Sequence, residues 1–130
     1  MQLAQRIVIK LGTGLMTQKD GGVAVSRLGK LVSQCARLVQ KEQKKIILVS
    51  SGAVGMGRMS LGVKTLPDLS AKQACAAVGQ SLLMQRYQRS FSRHGLMTAQ
   101  LLVTADDFAD RRRYLNLRDT FERLLSYKVI

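Results

Sequence analysis

Two short apolar runs without polar alternation mark the first half of the chain, Arg6 to Lys10 (RIVIK) and Lys45 to Ser50 (KIILVS). Such runs are typical of parallel strands that helices cover on both faces. Between them, apolar residues recur at helical spacing from Val25 to Val39, which predicts an amphipathic helix that ends near Glu42. Strand, helix and strand together predict a βαβ unit and therefore a parallel sheet.

The alternation of elements continues after the second strand. Ala53 to Arg58 predicts a short glycine-containing helix. Ser70 and Gln73 have the spacing of a capping box with Ser70 as the N-cap, which predicts a long helix from Ala71 to about His94. Gly95 supplies a left-handed stop after that helix.

The last third of the chain predicts two more strands and a helix. Leu96 to Thr104 is interpreted as a third strand, and Thr104, followed by acidic residues, as a helix N-cap. Arg111 to Leu125 carries the last helix, with one apolar face. Lys128 to Ile130 begins a fourth strand, and because strands average about five to six residues, the sequence reads as a domain cut within an element.

The composition suits a single domain with an aliphatic core. The chain has 130 residues, 46% of them hydrophobic, with no Trp, three Tyr and three Phe. This argues against an aromatic-lined groove for sugars or single-stranded nucleic acid. The net charge of +13 attracts anions, but the charges fall mostly on the solvent side of the predicted helices. Solvated helix faces, or an acidic remainder of the protein, explain the charge better than a nucleic-acid or membrane partner.

The two cysteines and the first residues of the chain indicate the cellular compartment in which the protein is expected. Cys35 and Cys75 fall on apolar helix stripes without C-x-x-C spacing, so buried free thiols are expected and no metal site. The start of the chain lacks a signal-peptide pattern, and no apolar run approaches the length of a membrane span. A cytoplasmic location is expected.

Candidate chemistry lies where the first strand ends. Lys10 closes the strand, and Gly12, Thr13 and Gly14 follow, so backbone N–H groups can approach an anion beside the ammonium group. The pattern is neither a P-loop nor a dinucleotide fingerprint. Taken alone, a lysine with two glycines at a strand end is also compatible with a purely structural turn.

A second polar turn follows the next strand. Ser50, Ser51 and Gly52 come directly after Val49, and in open parallel sheets ligands bind at the carboxyl edge. Two such turns side by side would cradle an anion, with a serine orienting a carboxylate beside it. Helix capping is the alternative for both serines. A serine hydrolase is not expected, because G-x-S-x-G is absent.

The chain resembles the glutamate 5-kinase family of the amino-acid kinase superfamily from about Arg6 to Ile130. Four segments carry the resemblance: Ile9–Thr13 (IKLGT), Leu48–Val54 (LVSSGAV), Lys72–Ser81 (KQACAAVGQS) and Tyr114–Asn116 (YLN). It implies a three-layer α/β/α sandwich with a mainly parallel sheet, of which residues 1–130 are the N-terminal, amino-acid-binding part.

The resemblance also implies an activity and roles for the site residues. The activity is ATP-dependent phosphorylation of the γ-carboxylate of L-glutamate, the first step of proline synthesis, with Mg²⁺ bound to the nucleotide. Lys10 would be the catalytic lysine and would bind the ATP phosphates together with Gly12, Thr13 and Gly52. Ser50, Ser51 and Gly52 would bind substrate.

By the same resemblance, the adenine site, a second lysine and an Asn/Asp/Glu-rich substrate segment lie beyond these 130 residues. The fragment alone is therefore expected to be inactive. The family also implies a homo-oligomer and feedback inhibition by proline. Two alternatives stay open: a non-catalytic module that binds glutamate or proline, and, from charge alone, a nonspecific nucleic-acid binder.

Overall fold

The computed structural model of the protein describes residues 4–13 and 25–130. Within them, the elements follow one another in an order that alternates strand and helix before ending in helices: β1 (Arg6–Leu11), α1 (Val25–Gln40), β2 (Lys45–Ser50), α2 (Ala53–Ser60), α3 (Leu69–Ser92), α4 (Ala105–Ala109) and α5 (Arg111–Ser126). Strands β1 and β2 pair in parallel, which confirms the predicted βαβ unit. The expectations for Gly14 and the polar stretch after it lie outside the described residues.

One face of the two-stranded sheet packs on helices. Leu11 of β1 and Ile46 of β2 join buried residues of α1 and α3 in a single core. On the other face, the side chain of Val8 is 60% exposed, and within residues 4–13 and 25–130 no helix covers it. The expectation that β1 is covered on both faces is therefore wrong for the described part of the chain, because only alternate residues of the strand reach the core.

Helix α3 is the longest element and begins earlier than predicted. Its N-cap is Asp68, whose carboxylate accepts a hydrogen bond from the Ala71 N–H at 2.7 Å. The predicted N-cap Ser70 lies inside the first turn, so that assignment is wrong; an aspartate two residues upstream satisfies the same free N–H groups. The helix ends at Ser92, and Gly95 adopts the predicted left-handed conformation, with φ of 69°.

The buried face of α3 is a row of residues spaced four apart: Cys75, Gly79, Leu83, Tyr87 and Phe91. Gly79 and Gly57 of α2 bring the two helix backbones into direct contact. A Cβ atom built on Gly79 would stand 1.7 Å from the Ala53 carbonyl oxygen, and one on Gly57 would stand 1.8 Å from the Cys75 carbonyl oxygen. Any side chain at either position would push the helices apart, so both glycines are packing requirements.

The predicted third and fourth strands do not form regular strands. Two hydrogen bonds join Leu96–Thr104 to Lys128–Ile130, the segments predicted to be these strands. The Ala99 N–H donates to the Ile130 carbonyl at 2.9 Å, and the Ile130 N–H donates to the Met97 carbonyl at 3.0 Å. This is the bonding pattern of one parallel bridge centred on Thr98. A single bridge does not make a ladder, and the expectation of a strand over Leu96–Thr104 is wrong as stated.

The final helices begin at well-defined caps. Thr104 is the N-cap of α4 as predicted, and its N–H and hydroxyl both donate to the Asp107 carboxylate, at 2.7 and 2.9 Å. These hydrogen bonds hold the pKa of Asp107 below its ordinary value, and the bond from the Thr104 backbone N–H has the larger effect. Asp110 caps α5 by accepting from the Arg113 N–H at 2.8 Å.

Candidate functional site

The ends of β1 and β2 lie side by side, as the sequence predicts. Leu11 pairs with Ser50 at the last position of the parallel register. The next residue, Ser51, donates both its backbone N–H and its hydroxyl to the Leu11 carbonyl, at 3.1 and 3.0 Å. These two bonds tie the turn after β2 to the end of β1.

Gly52 forms the corner between β2 and α2. Its φ of 120° and ψ of −5° lie in a region that side-chain-bearing residues rarely adopt, and it is the N-cap of α2. The Gly52 carbonyl accepts the first helical hydrogen bond from the Met56 N–H at 3.0 Å. No described side chain caps this end of the helix. The first N–H groups of α2 therefore point out of the carboxyl edge of the sheet, where an anion can accept them.

Lys10, Gly12 and Thr13 are exposed at the adjoining end of β1. Lys10 lies opposite Val49 in the register, two residues before Gly12. A Cβ atom on Gly12 would have no heavy atom within 4 Å, so packing of the described residues does not require glycine there. The other physical reason for a glycine at position 12 is that its backbone can approach a ligand closely.

Ser50 has a partner that sequence reasoning missed. Its hydroxyl lies 2.6 Å from the Tyr87 hydroxyl, which is carried by the buried face of α3. Burial is the largest influence on Tyr87 and raises its pKa, while the bond to Ser50 opposes that shift. A tyrosine within a row of buried apolar positions was the available signal, because a buried phenol needs a hydrogen-bond partner.

Ser50 and Tyr87 also line a cavity of about 340 Å³ between β2 and residues 98–103. Its other walls are mostly aliphatic, with Gln80, Thr98 and Gln100 as further polar residues. Lys10, Gly12 and Gly52 do not line it. The structure thus brings the two turns together at one sheet edge but places the Ser50 hydroxyl on the cavity side of β2.

The described residues contain no group of three or more His, Cys, Asp or Glu side chains arranged to hold a metal ion. Lys10 and the N–H groups at Gly52 are cationic or hydrogen-bond donors, so the chemistry of this edge fits phosphate oxygens. Among the helices of the described residues, none has the length and apolar character needed to cross a membrane. Cys35 and Cys75 are free and buried, as predicted.

Fold and site together define a parallel α/β protein whose carboxyl sheet edge carries two glycine-containing turns. The chain belongs to the amino acid kinase family, which matches residues 5–130. This confirms the resemblance read from the sequence motifs.

Several curated relatives are named glutamate 5-kinase. The chain is 47% identical to one from Trichlorobacter lovleyi over 127 residues, which are 97% of the chain and 34% of the relative. It is 44% identical to one from Marinomonas sp. over 128 residues, 98% of the chain and 34% of the relative. A relative from Geobacter sp. is 44% identical over the whole chain and 35% of its own length. The chain therefore spans about a third of the length of these relatives.

Proposed function

We propose that the chain is the amino-acid-binding part of a kinase that transfers the γ-phosphoryl group of ATP to the γ-carboxylate of L-glutamate. The observation that carries this proposal is the joined pair of turns at the carboxyl ends of β1 and β2. Similarity to relatives named glutamate 5-kinase supports the choice of substrate. The enzyme would act in the cytoplasm, at the first step of proline synthesis.

The phosphate part of the proposal rests on charge and backbone geometry. Phosphoryl transfer needs little covalent chemistry from the protein, so positioning and positive charge are the main contributions. The exposed Lys10 ammonium group stabilises negative charge on the moving phosphoryl group. N–H groups at Gly12, Thr13 and Gly52 donate to its oxygens. Mg²⁺, which the family resemblance places on the nucleotide, would neutralise charge on the nucleotide phosphates.

The substrate part of the proposal assigns different roles to the two serines. The Ser50 hydroxyl faces the cavity beside Tyr87 and binds the amino acid, and Gly52, which lies outside that cavity, contacts it from the sheet edge. Ser51 gives its N–H and hydroxyl to the Leu11 carbonyl, so it acts on substrate chiefly by fixing the turn that carries Gly52. We extend the proposal to assembly as a homo-oligomer and to feedback inhibition by proline, following the family.

The test is a chimera in which residues 1–130 replace the corresponding part of the Trichlorobacter lovleyi relative. Glutamate-dependent ADP release by the chimera is expected, with Lys10→Ala lowering kcat about 100-fold or more. Lys41→Ala, which removes an equal charge from an exposed position just after α1, is the matched control and should leave kcat unchanged. An active chimera that is indifferent to Lys10→Ala would refute the role of Lys10.

Calorimetry on the 130-residue chain, together with the activity assay, distinguishes part of a glutamate kinase from a non-catalytic module that binds glutamate or proline. The proposal expects no ADP release by this chain alone, because the adenine site is assigned elsewhere. Glutamate binding that Ser50→Ala weakens would support the substrate site. Proline binding with no activity in the chimera would instead favour the non-catalytic module.

A further inference from the structure

The Tyr87 phenol lies where the core of the protein reaches the end of β2. Ile46, Leu48 and Ser50 alternate along the strand and therefore project to the same face of the sheet. Ile46 and Leu48 pack into the core, and Ser50 is the last residue of this face. Tyr87 of α3 lies opposite Ser50 and is 4% exposed. The face that packs on α3 thus ends in two hydroxyl groups whose oxygens are 2.6 Å apart.

The two hydrogen bonds of the Ser50 oxygen differ in length. It lies 2.6 Å from the Tyr87 hydroxyl, and it donates to the Ser51 carbonyl at 3.3 Å. A hydroxyl has one proton and two lone pairs, so while that proton points to Ser51, Tyr87 is the donor in the shorter bond. Bonds between hydroxyl and oxygen usually span about 2.5–3.0 Å, so the longer bond is weak. The Ser50 oxygen is therefore held firmly, while its proton is held weakly and is available to a ligand.

The environment of Tyr87 suits a proton donor. Burial is the largest influence on the phenol and raises its pKa, so the hydroxyl keeps its proton at neutral pH. Both hydroxyls line the cavity between β2 and residues 98–103, so a molecule in that cavity lies beside the pair. Ser51, by contrast, gives both its N–H and its hydroxyl to the Leu11 carbonyl. By these contacts, Ser50 is the serine of the turn whose proton is left for a ligand.

We propose that Tyr87 is a positioning residue for the amino-acid substrate, which holds the Ser50 oxygen so that the Ser50 O–H donates to a carboxylate oxygen of glutamate. This inference rests on the proposed substrate role of Ser50. An exposed serine side chain otherwise samples three staggered rotamers. Fixing one rotamer before the substrate arrives removes that ordering cost from binding. Tyr87 acts through Ser50, so its loss should weaken glutamate binding and leave the chemical step unchanged.

The kinetic test uses the chimera that carries residues 1–130. Tyr87→Phe keeps the ring and removes the hydroxyl. It should raise the KM for glutamate about fivefold, while kcat and the KM for ATP stay within about twofold of the parent values. An unchanged KM for glutamate, or a fall of kcat by the same factor, would overturn the proposal.

A matched control reduces packing in the same row without removing a hydroxyl. Leu83 lies one turn before Tyr87 on the buried face of α3 and is 1% exposed. Leu83→Val should lower the free energy of unfolding by an amount similar to that of Tyr87→Phe, and should leave the KM for glutamate unchanged. An equal rise of that KM in both variants would show that Tyr87 acts only through stability, and the proposal would fail.

A double-mutant cycle shows whether Tyr87 acts through Ser50. Ser50→Ala should itself raise the KM for glutamate, and adding Tyr87→Phe should have no further effect. Full additivity of the two changes would refute the positioning role. If Ser50→Ala leaves the KM of an active chimera unchanged, the substrate role of Ser50 fails and this inference fails with it.

Nuclear magnetic resonance on the 130-residue chain tests the positioning without any enzymatic activity. The Hα–Hβ couplings of Ser50 should show one χ1 rotamer in the parent chain and averaging over rotamers in Tyr87→Phe. Averaging already present in the parent chain would overturn the proposal, whatever the activity of the chimera. An inactive chimera with a single Ser50 rotamer that Tyr87→Phe releases would count against the kinase proposal and support the positioning, so the two failures are distinguishable.

Discussion

Gly79 is the position at which the structure makes its sharpest prediction. The Cβ atom of Gly79→Ala would meet the Ala53 carbonyl oxygen at 1.7 Å and the Gly57 nitrogen at 2.5 Å. Contacts of Cβ atoms essentially never fall below 3.0 Å, so α2 and α3 must separate by at least 1.3 Å at this point, the difference between 3.0 and 1.7 Å. Both obstructing atoms belong to backbone, which cannot move aside as a flexible side chain would.

The magnitude follows from two opposing effects. Overpacking of rigid groups costs about 3 kcal/mol at the upper end of its usual range. Alanine is a better helix former than glycine by about 1 kcal/mol, which offsets part of that cost. The free energy of unfolding should therefore fall by about 2 kcal/mol, which corresponds to a Tm lower by about 8 °C for a domain of this size.

Urea unfolding followed by circular dichroism measures this effect, and Gly29→Ala in α1 is the matched control. A Cβ atom on Gly29 would have no heavy atom within 4 Å, so the same substitution there should raise stability by about 0.5–1 kcal/mol. If Gly79→Ala is as stable as the parent protein, or behaves like Gly29→Ala, the close helix crossing does not exist in solution.

Three further predictions concern single side chains. Tyr87→Phe removes the partner of Ser50 and should lower the free energy of unfolding by about 1 kcal/mol in urea titrations. Because burial raises the pKa of Tyr87, stability should fall as the pH rises from about 10 through that pKa; ultraviolet titration showing Tyr87 ionising together with the two exposed tyrosines would contradict this. The Asp107 pKa is lowered by its bonds to Thr104, so its stabilising contribution is complete above about pH 4 and lost as the pH falls through the lowered pKa. Asp107→Asn should remove that part of the acid transition seen by circular dichroism, and an unchanged transition would count against the capping box. Burial raises the pKa of the Cys35 thiol, so a thiol reagent should modify it only in urea, and rapid reaction of the folded protein would disprove its burial.

Local sequence signals account for most of what could be predicted of the fold. The βαβ unit followed from β-branched runs and helical periodicity, and the conformations at Gly95 and Thr104 followed from side chains within a few residues. The prediction of the N-cap of α3 was wrong because Asp68 and Ser70, two residues apart, are both residue types that cap helices. The choice between them depends on the phase of the helix against the sheet, which tertiary packing decides.

The features that sequence reasoning missed are long-range contacts. Nothing near Leu96 indicates whether its segment finds a strand partner. The bond between Ser50 and Tyr87 joins residues 37 positions apart. Gly79 was part of a family motif, but only the crossing with α2 shows why glycine is required there. Of the candidate site, the meeting of the two turns was predictable from the parallel register, whereas the cavity beside Ser50 was not.

The double attachment of Ser51 to the Leu11 carbonyl has a consequence for protein engineering. The turns after β1 and β2 are joined through one carbonyl oxygen, so a change in the backbone of either turn is transmitted to the other. Mutational effects at Gly12 and Gly52 should therefore be epistatic, and a double-mutant cycle should show a coupling energy. A combinatorial library that varies the two turns separately would miss the compensating pairs, and the two segments are better diversified as one unit.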